Sequence, residues 1–158
     1  MLDHHPSCKV KEAITFSVSG KPQPAGSKRA FVLRGGANAG RAIITDANPK
    51  SKDWKVDIKH EAQRAYTGEP WDGPVELTLR FFVERPKSHY RSGMNADKLK
   101  DSAPAFPTSK PDVLKLARGV EDAITAIIWK DDAQIVTEKL TKRYGRPGVE
   151  IEIKEASI

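Results

Sequence analysis

Cysteine is almost absent: the 158-residue chain has one, Cys8, so it has no internal disulfide framework and suits a reducing cytoplasm. No apolar run approaches the roughly 20 residues that span a bilayer. The opening MLDHHPSCKVKEA lacks the apolar core of a secretion signal. A cytoplasmic protein with no membrane partner is the expectation. Familiar sites are missing too. There is no G-x-x-x-x-G-K-[ST] loop for phosphates and no G-x-G-x-x-G dinucleotide turn. With one cysteine there is no pair for zinc, and His60 and His89 have no ligand partners nearby in sequence. Nothing local marks a Ser–His or Cys–His nucleophile. Asp3, His4, His5 and Cys8 cluster in a stretch that reads as a flexible leader over residues 1 to 10, where such tracts usually hold no designed metal site.

Positive charge, by contrast, is plentiful and localised. Lys and Arg outnumber Asp and Glu by 27 to 21, a net charge of +6. Residues 20 to 60 carry nine bases against three acids, and residues 85 to 118 carry eight against three. Two basic windows point to a polyanion, most often nucleic acid, although a merely solvated surface would carry the same charge. Apolar residues at 38% suffice for an ordinary core, and the length suits one domain over residues 11 to 158.

Periodicity places the elements. ITFSVS alternates as a half-buried strand does, and the Gly- and Pro-rich GKPQPAGSKR breaks it. AFVLR and RAIIT flank the glycine-rich GGANAG, which predicts a hairpin. Trp54, Ile58, Ala62 and Ala65 share one face of a helix over residues 50 to 66, closed by Gly68. VELTLRFFV is the clearest strand, and the polar residues 85 to 110 form a long loop, of a length usually functional or disordered. After Pro111, the residues Val113, Leu116, Ala117, Val120, Ile124 and Ile127 trace the core stripe of a second helix. Asp112, Lys115, Arg118 and Asp122 lie off it. Next comes WKDDAQIV, then the strand QIVTEKLTKRY, a Gly145–Gly148 turn and the strand VEIEIK, the last two strands reading as a hairpin. The order predicts an α+β fold: a small mixed or antiparallel sheet with two main helices.

Carboxylates set among bases remain as the candidate chemistry: Asp112 after the basic loop, and Asp131–Asp132 after the second helix. Hard oxygen ligands can hold magnesium, which activates water and neutralises charge on a phosphodiester. Lys and Arg around them hold the nucleic-acid backbone. Each acid also has an ordinary reading, Asp112 as a helix N-cap and the Asp pair as turn formers. Trp54 and Trp129 are expected to be structural.

The stretch from Lys110 to Tyr144 resembles the RusA family of Holliday junction resolvases, often carried by phages and prophages. The likeness rests on KPD, on the helix with Leu116, Arg118 and Asp122–Ala123, on W-x-DDAQ-V and on the T-K-R-Y strand, and more weakly on GKPQPAGSKR. It implies a homodimer that cuts four-way or related branched DNA in paired nicks, using magnesium (or manganese) on aspartates. By position it assigns Asp112 and Asp132 as essential magnesium ligands, Asp131 as their acidic neighbour, expected to assist in the catalytic metal site, and Arg118 as a catalytic cation where the family commonly has Lys. One departure stands out. Many members read D-L-D-N-L where this chain has Asp112-Val113-Leu114-Lys115-Leu116, and a leucine cannot ligate magnesium. The alternative implied is a junction-binding protein with lost or reduced cleavage. Asp122 does not substitute, since ten helical residues put it roughly 15 Å from Asp112.

Lys28, Arg29, Lys115, Arg118, Lys142 and Arg143 are the candidate DNA contacts. Replacing Lys28 and Arg29 with Ala should weaken binding and flatten the fall of log affinity with log salt, whose slope is about −0.9 per neutralised phosphate. Binding titrations across salt concentrations measure this, and an unchanged slope removes the pair from the interface.

Overall fold

The computed structural model describes residues 10–26 and 28–158, and only the backbone of Lys28 and Asp46. The leader cluster of Asp3, His4, His5 and Cys8 lies outside the described residues, as does the Lys28 side chain. The elements are β1 (Ile14–Ser19), β2 (Lys28–Val32), β3 (Ala42–Asp46), α1 (Pro49–Ala65), β4 (Val75–Val83), α2 (Val113–Ile124), β5 (Ile135–Tyr144) and β6 (Gly148–Glu155). This is the α+β fold with two main helices that the periodicity predicts.

β4 organises the rest. Its Val75, Leu77, Leu79 and Phe81 are all fully buried, as alternation in one strand requires when one face meets the core. Four strands pair in the order β1-β6-β4-β5, so β4 has neighbours on both sides. β6 runs antiparallel to β1 and β4, whereas β5 runs parallel to β4. The expected closing hairpin is therefore corrected: β5 and β6 are separated by β4. The composition explains the insertion. The most apolar strand takes a central position, and β5, with Glu138, Lys139, Lys142 and Arg143, takes an edge where charge deters further pairing. Gly145, Arg146 and Pro147 step over β4, and the Gly145 amide donates to the Val83 carbonyl at 3.0 Å.

Both helices bury one stripe in the same core. On α2 these are Leu116, Ala117, Gly119, Val120, Ala123 and Ile124, with Val113 and Ile127 partly buried. On α1 they are Ser51, Trp54, Ile58 and Ala62. Ala65 is exposed instead, because α1 ends there, and extended Tyr66 rather than Gly68 terminates it. Trp129 is fully buried and Trp54 is 4% exposed, so both are structural. β2 and β3 form the separate hairpin expected around GGANAG.

The long polar stretch is tied down by its own contacts. Arg91 pairs with Asp101 at 3.0 Å, and the Lys100 amide donates to the His89 carbonyl at 2.9 Å. Tyr144 at the end of β5 receives the Arg85 guanidinium 4.0 Å above its ring and the His89 ring edge-on at 5.8 Å. Residues 85 to 110 are thus anchored on β5, and the chain enters α2 from a fixed point.

Gly148 sits between β1 and β4, and a Cβ there would lie 2.7 Å from the Val18 carbonyl oxygen, a backbone atom. Gly148→Ala should cost about 1–3 kcal/mol as the strand is pushed aside. The check is a lower denaturant midpoint at an unchanged m-value.

Candidate active site

The residues of the WKDDAQ turn divide between structure and chemistry. Asp131 is the N-cap of a one-turn 3₁₀ helix over Asp132–Gln134, and its Oδ1 accepts from the Ala133 amide at 2.7 Å. Gln134 completes the reciprocal cap: its Oε1 accepts from the amides of Lys130 and Asp131, both at 2.9 Å. Its Nε2 donates to the carbonyls of Trp71 at 2.7 Å and Gly73 at 2.9 Å, which fixes the turn to the segment before β4. Lys130 adds an ion pair to Asp72, and that pair holds the Asp72 carboxyl below its ordinary pKa. Trp129 lies beneath, its Nε1 donating to Thr125 Oγ1 at 3.1 Å. Asp131 thus makes the turn, and Asp132 is presented at its exposed start.

Asp112 has the converse relation to its element. It occupies the N-cap position of α2 with extended backbone angles, yet its side chain makes no capping hydrogen bond. The carboxylate is exposed, with the Lys115 ammonium 3.9 Å away. Lys142 fixes the approach to it: its Nζ donates to the carbonyls of Ser109 and Pro111, both at 2.8 Å.

Register explains how Lys142 gets there. Leu77, Leu79 and Phe81 pair with Glu138, Leu140 and Lys142, so these β5 residues point to the face that the helices cover. α2 lies along β5, with its start at Lys142 and its third turn at Glu138. Nine helical residues from Asp112 to Glu121 rise about 13 Å. Four strand residues from Glu138 to Lys142 span about the same. Leu114, Arg118 and Glu121 share one side of α2 at helical spacing, and that side faces the edge strand.

At the far end of this stripe Glu121 meets Glu138, within reach of the charge on Asp132. Glu121 is half-buried and hydrogen-bonds Glu138, with Asp132 adding its charge nearby. Loss of solvent, then the Glu138 hydrogen bond and charge, then Asp132 push the Glu121 carboxyl from its usual 4.5 up to about 7, against the pull of Arg118. Neither Glu121 nor Glu138 stands out in the sequence. Their contact joins a helix to a strand 17 residues away, and no local spacing encodes it.

Arg118 and Asp132 are therefore brought together around Glu121, and Asp112 stands at the other end of α2. Among the described residues no three carboxylate, His or Cys side chains converge closely enough to hold an ion by themselves. Asp122 is engaged elsewhere, 3.2 Å from Lys55 of α1. Of the expected DNA contacts, Arg29, Lys115, Arg118 and Arg143 are exposed, and Arg143 lies 4.7 Å from the Phe106 ring. Leu114 is 70% exposed on the stripe with Arg118 and Glu121, so a side chain there meets solvent rather than core.

The raised Glu121 pKa carries a pH dependence of stability. In the folded protein the carboxyl keeps its proton at pH values where the unfolded chain has lost it, so stability falls as pH rises from 4.5 to about 7 and levels off above. Glu121→Gln should leave the melting temperature near pH 4.5 little changed and raise it at pH 8. Thermal unfolding of both proteins at the two pH values checks this, and an equal shift at both refutes the crowding.

Residues 20–154 match the family described as Endodeoxyribonuclease RusA. A Bacillus subtilis (strain 168) protein described as uncharacterized protein YqaN is 33% identical over 147 residues, covering 92% of this chain and 99% of that protein. No helix among the described residues is long and apolar enough to cross a membrane. With most of its length matched, and with the α+β architecture built around it, the chain belongs to the RusA endodeoxyribonuclease family.

Proposed function

We propose that the protein is a magnesium-dependent endonuclease that resolves Holliday junctions or related branched DNA in the cytoplasm, two subunits making paired cuts. The observation that carries this reading is the RusA family match over residues 20–154, with Asp132 exposed at the start of its 3₁₀ turn and Arg118 exposed on the neighbouring helix. Hard carboxylate oxygens suit magnesium, which usually binds through one or two carboxylates and completes its shell with water and substrate phosphate. A preformed cage of three side chains is accordingly unnecessary. In this reading Asp132, with Asp131 assisting, would be the principal protein ligand, and Asp112, at the other end of α2, would face the bound strand. Bound there, the ion supplies an activated water and neutralises charge developing on the scissile phosphate.

The chain's own residues do the rest. Arg118, beside the carboxylates and exposed, holds a phosphate oxygen and keeps the strand against the acids. Asp131 and Gln134 hold Asp132 in place, and Lys142 holds the entry to α2 so that Asp112 faces outward. We assign Lys142 this positioning part ahead of a direct DNA contact, since two of its three protons are already committed to carbonyls. Lys28, Arg29, Lys115 and Arg143 bind the backbone of the junction arms.

A second reading rests on Leu114: a protein that binds junctions and cuts them slowly or not at all. A synthetic four-way junction with and without magnesium separates the two. In the leading reading the wild type cuts only with the ion, and Asp132→Asn lowers cleavage by about 100-fold or more while binding stays or tightens with one repulsive charge removed. Asp122→Asn keeps substantial activity. A wild type that binds without cutting, and a Leu114→Asp variant that cuts, establish the second reading instead.

A further inference from the structure

Beside Asp112, on the side of α2 away from the crowded carboxylates, a cleft of about 340 Å³ opens between the entry to α2 and the segment after β1. Pro22, Pro24 and Pro111 give it an apolar floor, and Lys21, Lys110 and Lys115 stand around it. The segment is held in place rather than draped there. The Ala25 amide donates to the Lys115 carbonyl at 2.9 Å, and Asn48 Nδ2 donates to Gln23 Oε1 at 3.3 Å and to the Pro24 carbonyl at 3.2 Å. Pro22 is buried and Lys21 and Lys110 are exposed, so stiff apolar surface lies below the charges.

We propose that this cleft is a nucleotide subsite, holding one nucleotide of the DNA strand that runs past Asp112 towards the phosphate that is cut. The size decides against phosphate alone, since it falls in the roughly 300–1,000 Å³ range of pockets for small organic ligands. The surface chemistry agrees. A sugar and the face of a base lie against proline rings, and the flanking phosphates meet ammonium groups. α2 adds to the attraction, because its N-terminal end is not capped by Asp112 and is the positive end of the helix dipole. Branch points supply such a nucleotide at low cost, since a base without a full stack is more easily turned out. Asp112, which lines the same cleft, then sits between the held nucleotide and the scissile phosphate. The subsite makes the segment from Lys21 to Pro24 a determinant of where the strand is cut. It rests on the nuclease reading for its place in the reaction, and on the cleft alone for binding.

The test uses the isotope-labelled full chain and the dinucleotide pTpT, without metal, followed by amide chemical shifts. Saturable shifts are expected at Lys21, Gln23, Lys110 and Lys115, with an affinity about tenfold or more above that of inorganic phosphate. Lys21→Ala/Lys110→Ala should remove them, and Lys52→Ala/Lys59→Ala, which deletes equal charge from α1, should not. Shifts that cluster elsewhere, equal affinity for inorganic phosphate, or equal loss in both double variants overturn the subsite. Junction cleavage is measured in parallel on the same samples. Normal magnesium-dependent cutting with no pTpT in the cleft sinks the subsite alone. Dinucleotide held in the cleft of a protein that never cuts a junction upholds the subsite and sinks the nuclease reading.

Discussion

The site depends on the seating of α2 against the sheet. Leu116, Val120 and Ile124 are fully buried in the core that also contains Leu77, Leu79 and Phe81. Each such side chain contributes about 1.5–3 kcal/mol when removed from water. That burial fixes the rotation of the helix about its axis, and the rotation determines which polar residues face which neighbour. Leu114, Arg118 and Glu121 turn to the edge strand, and Lys115 turns to the segment after β1. A helix rotated by one residue would send Glu121 into solvent and leave Glu138 without its partner.

Edge position gives β5 its second part. A central strand is covered on both sides and favours apolar residues, but an edge strand can present a carboxylate and an ammonium on the helix-facing side. Glu138 and Lys142 use that freedom in opposite ways. Lys142 satisfies two backbone carbonyls ahead of α2 and holds the chain in place. Glu138 does the reverse, setting a negative charge against Glu121 and raising its proton affinity. One end of the helix–strand contact is thus stabilised, and the other sets like charges against each other. Perturbed carboxyls are a common mark of functional sites.

The adjacent aspartates illustrate how two identical residues acquire different work. Asp131 faces back into the turn and closes a capping box with Gln134. Asp132, one position on, begins the 3₁₀ helix and is left exposed, with its charge felt by Glu121. A turn role for Asp131 and the proposed ligand role for Asp132 are therefore compatible accounts of the pair. The capping box fixes where Asp132 is presented.

Local pattern determined much of this protein. The two helix stripes, the β4 alternation, the hairpin around GGANAG and the KPD and DDAQ motifs are all legible because side-chain period and turn chemistry act over a few residues. The same rules distinguish Asp122 from Asp112 by helical rise alone. Tertiary structure decided what short spacing cannot reach. Gly145–Gly148 reads as a hairpin turn, yet β4 enters between its strands because the most apolar strand needs cover on both edges. Ala65 fits the helix stripe but falls at the terminus. Glu121 and Glu138 look like solvated surface charges in the sequence, and only the packing of α2 along β5 sets them in hydrogen-bonding contact. The proline cleft likewise requires Lys21–Pro24 and Lys110–Lys115 to meet across nearly ninety residues, a contact that no local periodicity specifies.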